Sequence, residues 1–411
     1  MTLNKLNKIP DHWGVKKLSE FCDVLMGQSP PSSAYNFNGD GMPFFQGRKD
    51  FGDKYPQKTM WCSEPTRMAN AGDVLLSVRA PVGDVNVAVD KCCIGRGLSA
   101  LSMKNGSREF LYYLIQHNRQ RLKQIFESEG TVFGCVNKDG LKNFEVLLPE
   151  NDCEQRAIAK ILSDLDEKIE LNQRMIKTLE ASAQALFKRW FVDFEFLDDR
   201  GRPYQSSGGK MIDSELGEIP DGWEVKPLDQ IAEFLNGLAL QKYPPKGDEY
   251  LPVIKIRELN QGITESSDKA AVDIKKTYIV DDGDILFSWS GSLQVCIWCD
   301  GKGALNQHLF KVTSANYPKW FYYRWIKFYL PEFQQIAQGK ATTMGHIQRH
   351  HLSASLVIVP SGKVLDKMNS VMVPLLDQVI VSGMEIRKLS EIRDSLLPRL
   401  MSGRIRVNAV I

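Results

Sequence analysis

Apolar residues recur at alternating steps of four and three in the stretch from residue 152 to residue 191. This heptad pattern predicts a helix that packs along a partner helix over several turns. Asp152 followed by Gln155 has the spacing of a capping box, which puts the predicted helix start at Asp152. A helix of roughly 40 residues would extend about 60 Å and needs a partner to cover its seam. The seam positions are Ile158, Leu162, Leu165, Ile169, Asn172, Ile176, Leu179, Ala183, Leu186 and Trp190.

The predicted partner helix lies 210 residues further along the same chain. An isolated apolar stripe is typical of a buried globular helix, but two matched stripes favour an intramolecular coiled coil. The small polar Ser382 occupies the seam position that corresponds to Asn172. Asn172 is therefore interpreted as a residue that sets the register. Arg393 interrupts the second stripe. The matched positions are Met368, Met372, Leu375, Val379, Ser382, Ile386, Leu389, Arg393, Leu396 and Leu400.

The segments that precede the two helices are also duplicated. Residues 9–16 (IPDHWGVK) return as residues 219–226 (IPDGWEVK), and residues 71–77 (AGDVLLS) match residues 282–288 (DGDILFS). Short β-branched and aromatic runs separated by Gly, Asp and Pro predict an α+β fold with a bent or barrel-like sheet in each half. The chain is therefore predicted to contain two similar globular α/β domains and two long antiparallel helices.

The predicted boundaries follow from this order of elements. The globular domains are expected at residues 1–150 and 219–361, and the helices at residues 151–197 and 362–403. Residues 198–218 are rich in Gly, Ser and Pro, which indicates a linker over the surface. Residues 404–411 form a closing segment.

Composition narrows the class of protein. The chain has 411 residues, of which 43% are hydrophobic and 25% charged, as in an ordinary globular protein. We find no signal peptide and no apolar run long enough to span a bilayer, so we expect a cytoplasmic protein without a membrane partner. Because the net charge is only +2, a nucleic-acid surface would have to arise from segregation of charges.

The two halves differ most in polar and basic segments that contain glycine. Such side chains on loops hold phosphates and recognise base edges, although a solvated polar loop is the alternative for any single segment. The candidate DNA-binding residues of the first half are Gln46, Arg48, Lys49, Arg79, Arg96, Thr131, Asn137 and Lys138. Those of the second half are Lys255, Arg257, Ser290, Ser292, Asn306, Gln307, His308, Lys340, Thr342, Thr343, His346, Gln348 and Arg349.

The motifs of common catalysts are missing from the sequence. There is no phosphate-binding loop, no dinucleotide fingerprint and no nucleophile elbow. Cys296 and Cys299 have the spacing of a metal ligand pair, but no second Cys/His pair lies nearby, so a buried strand is the favoured interpretation. We therefore expect no catalytic residues, no bound metal and no cofactor.

Several segments together resemble a known family over essentially the whole chain: the specificity subunits of Type I restriction–modification systems. Each segment alone is a weak signal, whereas the set is specific. The segments are residues 9–13 (IPDHW), 154–162 (EQRAIAKIL), 185–194 (ALFKRWFVDF), 206–209 (SSGG), 213–217 (DSELG), 219–223 (IPDGW) and 345–348 (GHIQ).

The resemblance implies a non-catalytic subunit with two target recognition domains, each of which recognises one half of a split double-stranded DNA site. It also implies that the two helices fix the gap and dock two methyltransferase subunits, through which restriction and translocase subunits join. Residues 404–411 would then form a strand or tail that packs near the N-terminal domain. The alternatives are a catalytic protein, such as a fused methyltransferase or a nuclease, and a coiled-coil assembly adaptor that does not recognise DNA.

Overall fold

A computed structural model describes residues 9–105, 107–128, 136–339 and 345–407. The chain forms two compact units. The first consists of Met1–Glu167 with Leu389–Ile411, and the second of Lys168–Lys388. None of the described helices combines the length and apolar character that a membrane span requires.

The first unit begins with a mixed set of strands and short helices. Its strands are β1 (Trp13–Lys17), β2 (Cys22–Met26), β3 (Tyr35–Asn36), β4 (Met42–Phe45), β5 (Trp61–Cys62), β6 (Met68–Ala69), β7 (Val74–Ser77), β8 (Val85–Val87), β9 (Cys92–Ile94), β10 (Leu98–Met103) and β11 (Glu145–Pro149). Its helices are α1 (Leu18–Phe21), α2 (Arg108–His117), α3 (Arg119–Ser128), α4 (Lys138–Lys142) and the first part of α5 (Asp152–Phe191).

These strands form separate open sheets. A four-stranded sheet has the order β2-β10-β7-β8, a five-stranded sheet has the order β3-β5-β4-β9-β6, and β1 pairs with β11. All pairings are antiparallel except that of β4 with β9. The apolar face of α2, including Phe110 and Tyr113, shares a buried core with Val74, Leu76 and Leu101 of the four-stranded sheet.

The second unit contains the remaining elements. Its strands are β12 (Met211–Ser214), β13 (Gly217–Pro220), β14 (Glu224–Pro227), β15 (Glu233–Asn236), β16 (Leu251–Ile254), β17 (Lys269–Ala270), β18 (Ile279–Val280), β19 (Ile285–Ser288), β20 (Val295–Ile297), β21 (Gly303–Leu305), β22 (Leu309–Thr313) and β23 (Leu356–Val359). Its helices are α6 (Leu228–Ile231), α7 (Ile256–Gln261), α8 (Lys319–Gly339), α9 (Arg349–Ala354) and most of α10 (Gly362–Met401).

The second unit repeats the sheet order of the first. Its four-stranded sheet is β15-β22-β19-β20, its other sheet is β17-β16-β21-β18 with β16 parallel to β21, and β14 pairs with β23. The internal duplication and the mixed helix-and-sheet fold predicted from the sequence are confirmed.

The two long helices, α5 and α10, contain 40 residues each. In the first unit, Ile158 and Leu162 of α5 share a core with Leu400 of α10. In the second unit, Ala183 of α5 shares a core with Met372 of α10. Within each unit the helices run antiparallel. Each seam position predicted from the heptad pattern is buried or half-buried, because the apolar stripe of each helix faces other elements of its own unit.

Polar groups interrupt the seam in the first unit. Arg393 Nη1 lies 2.9 Å from Asp166 Oδ1, and the Tyr113 hydroxyl donates to Asp166 Oδ2 over 2.5 Å. Burial and the neighbouring carboxylate raise the pKa of the Tyr113 hydroxyl, so it remains a donor. Burial lowers the pKa of Arg393, but hydrogen bonds to Asp394 and Asp166 outweigh that effect and raise it. The break that Arg393 makes in the apolar stripe is thus filled by a buried ion pair.

The second unit has a comparable carboxylate. Glu180 of α5 accepts a hydrogen bond from the Tyr323 hydroxyl over 3.1 Å and lies 3.1 Å from Arg324 Nη1 and 2.9 Å from Lys327 Nζ. Asn172, fully buried in the seam, donates through Nδ2 to Glu385 Oε2 over 2.8 Å. A polar link between the two helices therefore exists at the position interpreted as setting their register.

Three details differ from the sequence predictions. Helix α5 begins at Asp152, but Asn151 caps it by accepting from the Cys153 amide over 2.8 Å, and Gln155 Nε2 donates to the Pro149 carbonyl over 2.9 Å instead of completing a capping box. Asparagine before the first turn is a strong helix cap. The segment 198–218 is folded: Tyr204 stacks on Phe196 at 4.6 Å, and β12 pairs with β13.

The third difference concerns the end of the chain. The described residues 404–407 contain no strand. Gly403 has a φ of +67°, which turns the chain, and side chains hold the residues that follow. Arg406 Nε lies 3.0 Å from Glu154 Oε1, while Ile405 and Val407 pack against the core of the first unit that contains Trp13. Residues 404–407 therefore pack on the first unit as a tail and not as a strand.

Candidate nucleic-acid interface

Four segments that lie outside the strands meet at one end of the first unit's sheets. The amide of Gly97, after β9, donates to the carbonyl of Gln46, after β4, over 3.1 Å. The Val78 amide, after β7, donates to the Gly97 carbonyl over 2.9 Å. The Val136 amide, just before α4, donates to the Val78 carbonyl over 2.9 Å. Backbone hydrogen bonds therefore bring segments together that are far apart in sequence; we call this group of segments the first loop cluster.

The first loop cluster carries several of the predicted DNA-binding side chains. Arg79 and Arg96 are exposed, and neither guanidinium makes a hydrogen bond or an ion pair with a residue that the structure describes. Lys49 and Lys138 are exposed in adjoining segments. Cations at the surface of a loop are suited to contact phosphates or the acceptor edge of guanine.

A buried carboxylate organises two further arginines. Asp84 is 8% exposed, and Arg48 Nε lies 2.5 Å from its Oδ2. Arg119, at the start of α3, forms an ion pair with the other oxygen of Asp84. Both arginine side chains remain more than half exposed. Asp84 therefore holds two cations in place while their outer surfaces stay accessible.

Two predicted residues of the first half differ from the rest. Asn137 is the cap of α4, and its side-chain oxygen accepts from the Gly140 amide over 2.7 Å, so that oxygen is engaged. Thr131 lies outside the described residues.

The second unit builds the same arrangement. The Asn306 amide, after β21, donates to the Ile254 carbonyl at the end of β16 over 3.2 Å. The Trp289 amide, after β19, donates to the His308 carbonyl over 3.4 Å, and the Ile347 amide donates to the Trp289 carbonyl over 3.0 Å. These segments form the second loop cluster.

A serine hydroxyl closes the loop after the central strand in both units. Ser77 Oγ donates to the Pro81 carbonyl over 2.8 Å and accepts from the Asp84 amide over 2.9 Å. Ser288 Oγ donates to the Ser292 carbonyl over 2.7 Å and accepts from the Gln294 amide over 2.8 Å. Both serines are fully buried, so these loops have the same internal frame.

The second loop cluster contains a relay of polar side chains. Ser290, which is 4% exposed, has its Oγ 3.0 Å from His308 Nδ1. His308 Nε2 lies 3.4 Å from the side-chain Nε2 of Gln307. Asn306 Oδ1 accepts from the His308 backbone amide over 3.2 Å. Gln307 and His308 line a cavity of about 450 Å³ together with Lys255. This group presents amides and an imidazole where the first loop cluster presents guanidinium groups.

Other predicted residues of the second half are engaged within the protein. Lys255 forms an ion pair with Asp268. Arg257 donates to the Glu258 carboxylate at 2.7–2.9 Å and to the Ser266 carbonyl over 2.9 Å. Carboxylates of the protein thus partly neutralise these two cations, so they are less suited to contact phosphates.

The remaining predictions for the second half fall into two groups. Ser292 and Gln348 are exposed, His346 forms a β-bridge with Ser290, and Arg349 donates to the Phe234 carbonyl over 3.1 Å. The others lie outside the described residues: Lys340, Thr342 and Thr343.

Sequence reasoning missed several residues that shape the two clusters. Asp84 and Asp268 pair with the predicted Arg48 and Lys255, which lie 36 and 13 positions away along the chain. Arg119 pairs with Asp84 over 35 positions, and no local pattern reveals these partners. Trp289 Nε1 donates to Asn236 Oδ1 over 2.9 Å and thereby ties the loop after β19 to β15. The repeated serine at positions 77 and 288 was the available signal for the loop frame.

The described residues contain no group of His, Cys, Asp and Glu that could hold a metal ion. Cys296 lies partly buried on β20. This burial, and to a smaller extent the neighbouring Cys299, raises the pKa of the Cys296 thiol to about 12. Since the thiolate is the form that binds metals, this environment disfavours ligation by Cys296.

A family model described as Type I restriction modification DNA specificity domain matches the chain twice, over residues 10–181 and 220–390. The chain belongs to this family. The MjaIX specificity subunit of a Type I restriction enzyme from Methanocaldococcus jannaschii is 29% identical over 436 residues, covering 98% of this chain and 95% of the relative. The HindI specificity subunit from Haemophilus influenzae is 25% identical over 357 residues, covering 72% of this chain and 77% of the relative.

A solved structure shares the fold of this family member. The crystal structure of a Type I restriction–modification system S subunit from M. genitalium aligns with a TM-score of 0.60 at 17% identity, covering 97% of this chain and 98% of that one. The prediction from sequence motifs that the chain is a specificity subunit of this family is confirmed.

Proposed function

We propose that the chain selects the DNA target of a Type I restriction–modification complex by binding a bipartite, asymmetric site, and that it catalyses no chemistry itself. The observation that carries this proposal is the pair of loop clusters. Both have the same backbone frame, but they present different side chains. Two similar frames with different side chains suit the recognition of two different half-sites on one duplex.

The two clusters supply the groups that DNA recognition needs. In the first, Arg48, Arg79, Arg96 and Lys49 leave cationic surface exposed. Such groups neutralise phosphates and release counterions, so affinity should fall steeply with salt. Contacts to base edges add selectivity, at about 1–3 kcal/mol for each bidentate contact.

We propose the helix pair as the docking site for two methyltransferase subunits, through which restriction and translocase subunits join. Large apolar side chains on both helices support this part of the proposal. Leu171 is 50% exposed on α5, and Val381 is 56% exposed on α10. Val371 and Ile392 of α10 are also exposed. These side chains offer apolar surface for a protein partner to bury. The methyltransferase would flip and modify the target base, while this chain selects where that occurs.

A selection experiment tests the proposal. The full chain, co-expressed with its methyltransferase subunit, is incubated at moderate salt with duplexes whose central sequence is randomised, and bound duplexes are sequenced. Enrichment of two short half-sites at a fixed gap is the expected result. A stable protein complex that enriches no sequence would contradict DNA recognition and favour an assembly adaptor.

A further inference from the structure

The two loop clusters can be aligned residue by residue through their backbone hydrogen bonds. The bond from Val78 to Gly97 corresponds to the bond from Trp289 to His308, and the bond from Val136 to Val78 corresponds to that from Ile347 to Trp289. Each matched pair is 211 positions apart. The alignment compares backbone hydrogen bonds that each lie within one unit.

This alignment places different side chains at equivalent positions. One residue before Gly97 and His308 stand Arg96 and Gln307, and both occupy the turn between two strands, β9–β10 and β21–β22. The same alignment matches Arg79 with Ser290. The frame thus keeps its backbone while an arginine is exchanged for an amide side chain.

The turn that carries Arg96 in the first unit and Gln307 in the second is also held by a hydrogen bond on its other side. The Arg96 amide donates to Ser29 Oγ over 3.3 Å, and the Gln307 amide donates to the Leu238 carbonyl over 2.9 Å. Both acceptors follow a glycine, Gly27 or Gly237, where an added Cβ would lie 2.2 Å from a backbone oxygen of the turn. The turn is therefore fixed on both sides, and its side chain is free to be directed outward.

We propose that this matched position recognises a base: Arg96 a guanine in the first half-site, and Gln307 an adenine in the second. The inference rests on the proposed function. In the major groove, arginine donates two hydrogen bonds to O6 and N7 of guanine, whereas glutamine donates to N7 and accepts from N6 of adenine. Arg96 makes no ion pair with a described residue, so its donors remain available.

His308 and Ser290 act as positioning residues for Gln307. Hydrogen bonding is satisfied throughout if the Gln307 amide nitrogen donates to His308 Nε2 and His308 Nδ1–H donates to Ser290 Oγ. The carboxamide then has one N–H and its oxygen left for a base, which is the pattern that adenine complements. A preorganised amide loses less conformational entropy on binding.

An exchange of the two side chains tests the proposal. Arg96→Gln and Gln307→Arg are each made in the full chain, co-expressed with the methyltransferase subunit, and put through the randomised-duplex selection. Lys91→Gln is the control, because Lys91 is exposed at the opposite end of β9 and its replacement removes the same charge.

The expected result is a change at one base pair for each exchange. Arg96→Gln should replace guanine by adenine at one position of the first half-site and leave the second unchanged. Gln307→Arg should replace adenine by guanine in the second half-site. Preference for the original base should fall roughly 10- to 100-fold, and Lys91→Gln should select the original site.

Other outcomes overturn the proposal. Uniformly weaker binding by Arg96→Gln with unchanged half-sites would mean that Arg96 contacts a phosphate. If Gln307→Arg does not fold, Gln307→Ala serves instead, and retention of full adenine preference by it would refute the role of Gln307. If the unaltered protein selects two half-sites and the exchanges alter neither, only this inference fails. If the unaltered protein selects none, the proposed function fails as well.

Discussion

The first and second loop clusters share a backbone frame and differ in the side chains that the frame presents. Arg79 and Arg96 in the first cluster correspond to Ser290 and Gln307 in the second. The frame is held by backbone hydrogen bonds and by one buried serine hydroxyl, which do not depend on those side chains. Recognition side chains can therefore change without disturbing the fold that supports them.

The contacts of the long helices show a second contrast between the units. Tyr113 and Tyr323 are duplicates, 210 positions apart, and each donates its hydroxyl to a carboxylate of α5. The carboxylates are Asp166 and Glu180, which do not correspond under the duplication. The aromatic donor was thus kept in both halves, while the charged partners around it differ.

The largest expected effect comes from breaking the buried pair in the first unit. Arg393→Ala leaves Asp166, whose side chain is 8% exposed, without its closest cation. Lys54 Nζ, 3.7 Å from Asp166 Oδ2, is then the nearest cation that remains. Because a buried charge with so distant a partner is costly, we expect a loss of about 3 kcal/mol in the free energy of unfolding of the first unit. Urea unfolding followed by hydrogen exchange of that unit measures it.

A double variant provides the control for that measurement. Asp166→Leu together with Arg393→Leu removes both charges and should recover most of the loss, since apolar residues of similar volume replace buried pairs well. The exposed pair Lys160–Asp164 on α5 is the comparison. If Arg393→Ala costs no more than Lys160→Ala, the buried pair is not a stabilising feature.

Disruption of one loop frame should affect one half-site. In Gly237→Ala the new Cβ would lie 2.2 Å from the Asn306 carbonyl oxygen, so the turn that carries Gln307 must move. We expect a loss of about 1–3 kcal/mol in stability and loss of selectivity at the second half-site only.

Gly247→Ala is the matched control in the same unit, because no atom lies within 4 Å of its added Cβ. Sequencing of selected duplexes gives the half-sites, and thermal unfolding gives the stability. Loss of both half-sites by Gly237→Ala would show that the clusters are not independent.

A smaller effect is expected at the polar seam position. Asn172→Leu replaces a fully buried amide whose oxygen accepts no hydrogen bond from the described residues. We expect a gain of about 1 kcal/mol in stability with looser control of register or assembly state, as for polar residues in other coiled-coil seams. Unfolding curves and sedimentation measure the two quantities. A loss of stability would mean that the bond to Glu385 outweighs the buried oxygen.

The smallest effect concerns a phosphate contact. Lys49→Ala should weaken DNA binding about equally for all sequences and reduce the slope of log affinity against log salt by about 1. Titrations at several salt concentrations measure the slope. A change in the selected bases would instead assign Lys49 to base recognition.

The helices and the duplication were predictable because heptad periodicity and a repeated motif are local signals. The partners of Asp166 and Asp84 were not, since Arg393 and Arg48 lie far away in sequence and meet them only after folding. Asn137, predicted as a DNA contact, also caps α4, a role that asparagine before a helix start commonly takes. Of the predicted strand or tail after residue 403, the described residues form a tail, in which Gly403 turns the chain and Arg406 pairs with Glu154.

We propose that the length of the paired helices sets the gap between the two half-sites. Insertion of a second copy of residues 169–175 into α5 and of residues 383–389 into α10 tests it most directly, because both insertions preserve the heptad pattern. One heptad adds about 10 Å, or about three base pairs. We expect the variant to select the same two half-sites with a longer gap. Altered half-sites, or an unchanged gap, would contradict it.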